Sequence, residues 1–107
     1  VAKEAEVTIA SLKGRLDALT AKSVEEQLLK LVDSGEHKLV VDLAQLDYIS
    51  SVGLRVLILL AKRLKAVGGK VVVCSLQEAI QQLFEISGFT NIFAIYKTRP
   101  EAVSGIQ

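Results

Sequence analysis

The chain is poor in the residues that usually carry staples, metals and membrane anchors: 107 residues hold one cysteine, one proline, one histidine, no methionine and no tryptophan. A lone cysteine, Cys74, cannot close an internal disulfide, so nothing marks the chain for an oxidising compartment and Cys74 reads as a small core residue. His37 has no second His or Cys nearby to complete a metal-ligand spacing and reads as a solvated loop residue, so no metal is expected. Charge of one sign is also missing. Thirteen basic residues against twelve acidic leave a formal net charge of +1, which argues against the broad basic surface that nucleic acid requires, so no nucleic-acid partner is expected. The longest apolar stretch, Val56 to Ala61, is far too short to cross a bilayer, so no membrane insertion is expected. No charged-then-apolar leader precedes Val7, and the cytoplasm is the expected location. The sequence has no Gly-Lys-Ser/Thr phosphate loop, no dinucleotide glycine fingerprint, no nucleophile elbow and no metal-spaced His/Cys set. The expectation is a protein that is no enzyme and holds no cofactor.

What is present is apolar residues in regular arrangement. Half the chain is hydrophobic, which is too much for disorder, and 107 residues suffice for one domain, residues 1–107, with a single core. Val7 and Ile9 alternate with Glu6 and Thr8 as in a half-buried strand ending near Leu12, with Val1 to Lys3 available to pair with it. Gly14, Asp17 and Thr20 then read as turn and cap formers. Val24, Leu28, Leu31 and Val32 recur at helical spacing, and Gly35 supplies a left-handed stop. Lys38 to Leu43 is apolar without alternation, as in a central strand covered on both faces and flanked by parallel neighbours. A helix from Ser51 to about Val67 follows, with Lys62, Arg63 and Lys65 placed to suit its dipole and Gly68-Gly69 to stop it. Lys70 to Cys74 reads as a buried strand and Ser75 to Glu78 as a capping box opening a helix that ends at Ser87-Gly88. Ile92 to Tyr96 is a last strand, and Thr98 to Glu101 starts a terminal helix. Strand and helix alternate, which predicts an α/β domain with a mixed, mostly parallel sheet flanked by helices.

The candidate site is the junction between the strand at Leu39–Leu43 and the helix that follows. Ser50 and Ser51 stand where the first amides of that helix lack partners, so either can cap it, and the same amides and dipole would favour a phosphate. Asp42 could be read as the phosphoacceptor of a response-regulator receiver, but that chemistry needs an acidic pair after the first strand, and Lys13-Gly14-Arg15 stands there. Asp42 is expected to tie the following loop instead. Gly53, in the first turn, costs up to ~1 kcal/mol relative to alanine, which implies that something needs the backbone bare. The expectation is a partner backbone or a kinase loop.

Asp42-Leu43 followed by Tyr48-Ile49-Ser50-Ser51-Val52-Gly53-Leu54 resembles the signature of the STAS domain family, the bacterial anti-sigma factor antagonists, usually Asp-Ser-Ser/Thr-Gly-Leu at this place. Matching backward from Gly53 and Leu54 puts the family's phosphorylated serine at Ser51 and its Asp at Ser50, which makes Ser50 a second candidate acceptor. The spacing of Gly14, Asp17 and Thr20 is a second match, to a loop that in the family lies beside the phosphoserine on the partner-binding face. The likeness runs on to Phe84-Glu-Ile-Ser-Gly88. It implies a STAS-like fold and a partner surface of Gly14, Asp17, Thr20, Ser50, Ser51, Val52, Gly53 and Leu54. It further implies an anti-sigma factor that is also a serine kinase, a PP2C-type phosphatase that reverses the kinase, and control of sigma-factor-dependent transcription by partner switching. The sequence shows no heptad seam and no cysteine framework, so a monomer is expected. A second reading within the same family is a phosphorylation-independent adaptor in a larger lipid-transport or sensory assembly.

Overall fold

The computed structural model describes residues 1–107. The elements are β1 (Ala2–Glu4), β2 (Val7–Leu16), α1 (Ala21–Asp33), β3 (Lys38–Ile49), α2 (Ser51–Ala66), β4 (Lys70–Cys74), α3 (Glu78–Ile86), a 3-10 turn (Phe89–Asn91), β5 (Ala94–Tyr96) and α4 (Arg99–Ile106). They form one five-stranded sheet in the order β1-β2-β3-β4-β5, with β1 antiparallel to β2 and the remaining neighbours parallel. Because each successive parallel strand is added on the same side, right-handed crossovers place α1, α2 and α3 on one face, and α4, which follows the last strand, crosses to the other. The expected mixed, mostly parallel sheet flanked by helices is the one observed.

Side-chain alternation along the strands divides the interior. Leu39 and Val41 of β3 and Val73 of β4 point to the α1–α3 face, where they join Leu28, Val32, Leu57, Leu60, Leu64, Ile80 and Phe84. Val40, Val72 and Cys74 point to the α4 face, with Val7, Ile9, Ala102 and Ile106. A strand buried on both sides has no polar face to show, which is why β3 reads as a continuous apolar run. Cys74 is fully buried, and that burial pushes its thiol above the usual range, leaving it a packing residue.

Several boundaries differ from the sequence expectations. β2 does not stop before Gly14; it runs on to Leu16 while β3 continues past Leu43 to Ile49, the two pairing as far as Leu16 with Ile49. Register shifts between Ser11 and Lys13 and between Gly14 and Arg15 interrupt the side-chain alternation, and Gly14 takes a φ of +72° at the second of them. Gly14 is therefore a bulge residue inside a strand rather than a turn residue. Asp42 accordingly lies in mid-strand. Its Oδ1 accepts from the Ala44 amide at 3.0 Å, as expected for a local tie, but its Oδ2 also accepts from Arg99 Nε at 2.9 Å and forms an ion pair with Arg99 Nη2 at 2.9 Å, and so fastens α4 to the sheet. The Ser75 capping box does not form: Ser75 sits at φ +62° and Gln77 occupies the cap of α3. The Thr98 cap does, its hydroxyl accepting from the Glu101 amide at 3.3 Å. β5 begins only at Ala94, because the chain at Phe89–Asn91 coils into the 3-10 turn that seats Phe89 and Phe93 against Phe84.

At the other end of the molecule Ala5 and Glu6, both at positive φ, make the two-residue turn between β1 and β2 that a right-twisted hairpin favours. Glu36 there accepts from the Thr8 hydroxyl and pairs with Lys3 at 2.9 Å, and those two contacts hold its carboxyl below the ordinary range.

Candidate functional site

The site is built where β2 and β3 end side by side. Ser50 leaves β3 in an extended conformation; its amide donates to the Leu16 carbonyl at 2.9 Å and its carbonyl accepts from the Leu54 amide at 2.9 Å. Its hydroxyl accepts from the Gly53 amide at 3.3 Å, so Ser50 is the N-cap of α2. Ser51 is the first helical residue, exposed, and its hydroxyl takes no part in the cap. The amides of Ser51 and Val52 have no backbone partner. The two serines thus have different employment: one hydroxyl is committed to the fold and the other faces solvent among free N–H donors.

Gly53 overturns the expectation attached to it. It is buried, and a Cβ there would lie 2.6 Å from the Leu16 carbonyl oxygen and 2.8 Å from both Leu16 Cγ and Ile49 Cγ1. What needs the backbone bare is the end of β2 pressed against the first turn of α2, not a visiting partner or kinase loop. Leu54 is also buried, at 8% exposure, so neither Gly53 nor Leu54 presents a side chain to another molecule. Their part in the proposed surface is to fix the height and pitch of the turn that carries Ser51. Val52, by contrast, is 38% exposed.

The loop from Asp17 to Thr20 meets this junction through Leu16, whose carbonyl holds Ser50. Asp17 Oδ1 accepts from the amides of Leu19 at 3.0 Å and Thr20 at 3.3 Å. The Leu19 bond is the foremost cause that holds the Asp17 carboxyl below its usual range, with Arg15 and Thr20 adding to it and desolvation opposing, so the loop is pinned by an ionised carboxylate at neutral pH. Thr20 stands at the cap position of α1 but does not cap it; its hydroxyl donates to the Arg15 carbonyl at 2.8 Å while accepting from the Asp17 amide at 3.0 Å. Asp17 and Thr20 therefore act on each other and shape the loop. Gly14 lies one bulge upstream in β2, with open space where a side chain would be.

Sequence reasoning passed over three residues here. Leu19, at the tip of the loop, is 94% exposed. Arg15 lies with its guanidinium 4.1 Å from the centroid of the Tyr48 ring and its Nε 3.3 Å from Asp17 Oδ2, packing the strand ends together. The available signal was an apolar residue between two turn formers, outside the helical period of α1. Beside the loop a shallow groove separates α1 from α2, lined by Ala18, Lys22 and Glu25 on one side and Val52, Arg55 and Leu59 on the other.

No group of three or more His, Cys, Asp or Glu side chains is placed to hold a metal ion. His37 is exposed at the opposite end of β3, where its carbonyl accepts from the Lys70 amide at 2.7 Å. No helix is long and apolar enough to cross a membrane. Chemically the junction offers an exposed hydroxyl, that of Ser51, at the N-terminus of α2, while the Ser50 hydroxyl is already bonded to the Gly53 amide.

The STAS domain family model matches residues 1–102. BtrV of Bordetella bronchiseptica, which carries a provisional assignment as an anti-sigma factor antagonist, is 43% identical over 99 residues, covering 92% of this chain and 85% of that protein. A crystal structure from Thermotoga maritima, provisionally assigned in the same way, superposes with a TM-score of 0.91 at 21% identity, over 96% of this chain and 89% of its own, a likeness of fold. An anti-sigma factor antagonist from Mycobacterium paratuberculosis superposes with a TM-score of 0.88 at 25% identity, over 98% and 89%.

Proposed function

The chain belongs to the STAS domain family, and from that premise we propose that it is an anti-sigma factor antagonist switched by phosphorylation of Ser51. In the unphosphorylated state the surface around Ser51, Val52 and the Asp17–Thr20 loop binds an anti-sigma factor, and a sigma factor is released. The same partner, acting as a serine kinase, transfers the γ-phosphoryl group of ATP to Ser51 Oγ: the new O–P bond replaces the β–γ bridge, ADP leaves, and the serine proton passes to the kinase. A PP2C-type phosphatase hydrolyses the ester and restores the binding form. On this reading the chain is a substrate of enzymes, working as a monomer in the cytoplasm.

The observation that carries the reading is the division of labour between the serines. The Ser50 hydroxyl is held by the Gly53 amide, whereas Ser51 is exposed beside the partner loop. Phosphate on Ser51 adds about −1.5 to −2 charges where the Ser51 and Val52 amides can receive them, so the fold tolerates it. A partner packed against the neutral hydroxyl must then desolvate a dianion, at a cost of several kcal/mol, or orders of magnitude in affinity.

The test is incubation with the cognate kinase and ATP, mapping of phosphate by mass spectrometry, and titration of the anti-sigma factor. Phosphate is expected on Ser51, also in Ser50→Ala. Ser51→Ala is expected to bind permanently and Ser51→Asp poorly. Phosphate on Ser50 alone, or equal partner affinity for the parent, Ser51→Asp and the phosphoprotein, defeats the assignment. The adaptor reading draws on Ser50 standing where the signature has Asp, and binding without any phosphate incorporation would favour it.

A further inference from the structure

Leu19 is more exposed than any other large hydrophobic residue of the chain, at 94%, yet its neighbours Leu16 and Ala21 are both buried. A leucine left in water forgoes the stabilisation that burial would give, and single exposed leucines on frayed loops need no explanation. This one is not frayed. Its amide is fixed to Asp17 Oδ1, Thr20 is fixed to the same oxygen, and the Thr20 hydroxyl closes back on Arg15, so the loop cannot turn Leu19 inward without breaking those bonds. Nor is it alone: Val52 is partly exposed nearby in the fold, and Ala18 and Leu59 line the groove that runs from the loop between α1 and α2. The groove also carries Lys22 and Arg55, neither of them in an ion pair within the chain, against one acid, Glu25.

We propose that Leu19 is the anchor of the partner interface, a rigid apolar knob that enters an apolar socket on the anti-sigma factor, and that the socket is ringed by carboxylates facing Lys22 and Arg55. The inference rests on the anti-sigma reading above. The physical reason is preorganisation: the ordering cost of the knob is met by the loop's own hydrogen bonds before the partner arrives, so burial of Leu19 appears almost undiminished as affinity. It also gives the loop and the phosphorylation site separate tasks. Leu19 supplies binding energy in the unphosphorylated state, and Ser51, joined to the same loop through the Leu16–Ser50 hydrogen bond, supplies the veto.

The experiment is isothermal titration of the purified anti-sigma factor from the same organism with the parent protein, Leu19→Ala, Ser51→Asp, and Ile86→Ala. The last is a control, since Ile86 is 84% exposed on the final turn of α3, outside the loop and the groove. Leu19→Ala is expected to weaken binding about 30-fold, or about 2 kcal/mol at 1.4 kcal/mol per tenfold, with an unchanged melting midpoint, and Ile86→Ala to bind as the parent does. Leu19→Ala within twofold of the parent, while Ser51→Asp loses binding, overturns the anchor and leaves the functional reading standing. Equal losses for Leu19→Ala and Ile86→Ala also overturn it, as general stickiness. A parent protein that does not bind overturns both.

Discussion

The two faces of the sheet are held by different forces. On one, 20 buried residues from the strands, from α1, α2 and α3 and from the segment around the 3-10 turn make a continuous apolar interior, and the close approach of Gly53 to Leu16 is a matter of shape. On the other, the cluster has only seven buried residues, five from the strands and Ala102 and Ile106 from α4, and the helix is secured at its start by Arg99, which pairs with the buried Asp42 and donates from Nη2 to Ser11 Oγ at 3.2 Å. The difference bears on function because α2, on the apolar face, carries Ser51. Its first turn is positioned by the packing of Gly53 on Leu16 and by the Ser50 hydrogen bonds, none of which uses the Ser51 hydroxyl, so on the proposed reading a dianion added at Ser51 leaves in place what holds the helix. A helix hung on an ion pair would be a poorer place for such a switch, since new charge nearby competes with the pair.

The sharpest way to break the comparison is at Gly53. Gly53→Ala places a methyl 2.6 Å from a backbone oxygen that cannot rotate away, and the loss is expected to be about 3 kcal/mol in urea unfolding, exceeding the ~1 kcal/mol of helix propensity gained. A neutral result would mean that α2 is free to lift off β2. Arg99→Met comes next. It leaves Asp42, 6% exposed, with the Ala44 amide as its remaining partner; removing one member of a fully buried pair costs 3–5 kcal/mol, but the Arg99 side chain is 38% exposed and water can replace part of it, so about 2 kcal/mol is expected. A larger loss for Arg99→Met than for Gly53→Ala would reverse the ranking of the two faces.

Much of this was legible in the sequence where one rule acted alone. The limits of α2 and β4 followed from a cap, a glycine stop and an apolar run, and the Thr98 cap from its own spacing. The failures came where tertiary geometry overrode a local signal. Gly14 looked like a turn because glycine breaks strands, and only the pairing of β2 with β3 shows that it is a bulge. Ser75 had the spacing of a capping box, but the chain leaving β4 takes a left-handed residue there and the box cannot close. The rarity of glycine in a first helical turn correctly marked Gly53 as constrained, but sequence cannot tell a constraint from inside the fold from one imposed by a partner. Leu19 was missed for the complementary reason: an apolar residue in a turn is normally assigned to the nearest helix face, and its exposure is decided by the bond of its amide to Asp17 and by the bond from Thr20 back to Arg15.

The smallest expected effect separates the two serines. Ser50→Ala removes the acceptor for the Gly53 amide, and because Gly53 is buried against Leu16 no water can easily take the place of the lost oxygen, so a loss of about 1 kcal/mol is expected, at the usual value of an N-cap. Ser51→Ala removes a hydroxyl outside the cap and adds a better helix former, and its unfolding midpoint is expected to match the parent's or exceed it slightly. Measured side by side in urea, the pair tests the claim on which the site depends: that neighbouring, chemically identical groups have been given separate work by the backbone, one to hold α2 and one to be modified. Equal losses for the two variants would mean that Ser51 also caps the helix. Phosphorylation there would then have to break a structural bond, and the fold could not remain indifferent to the switch.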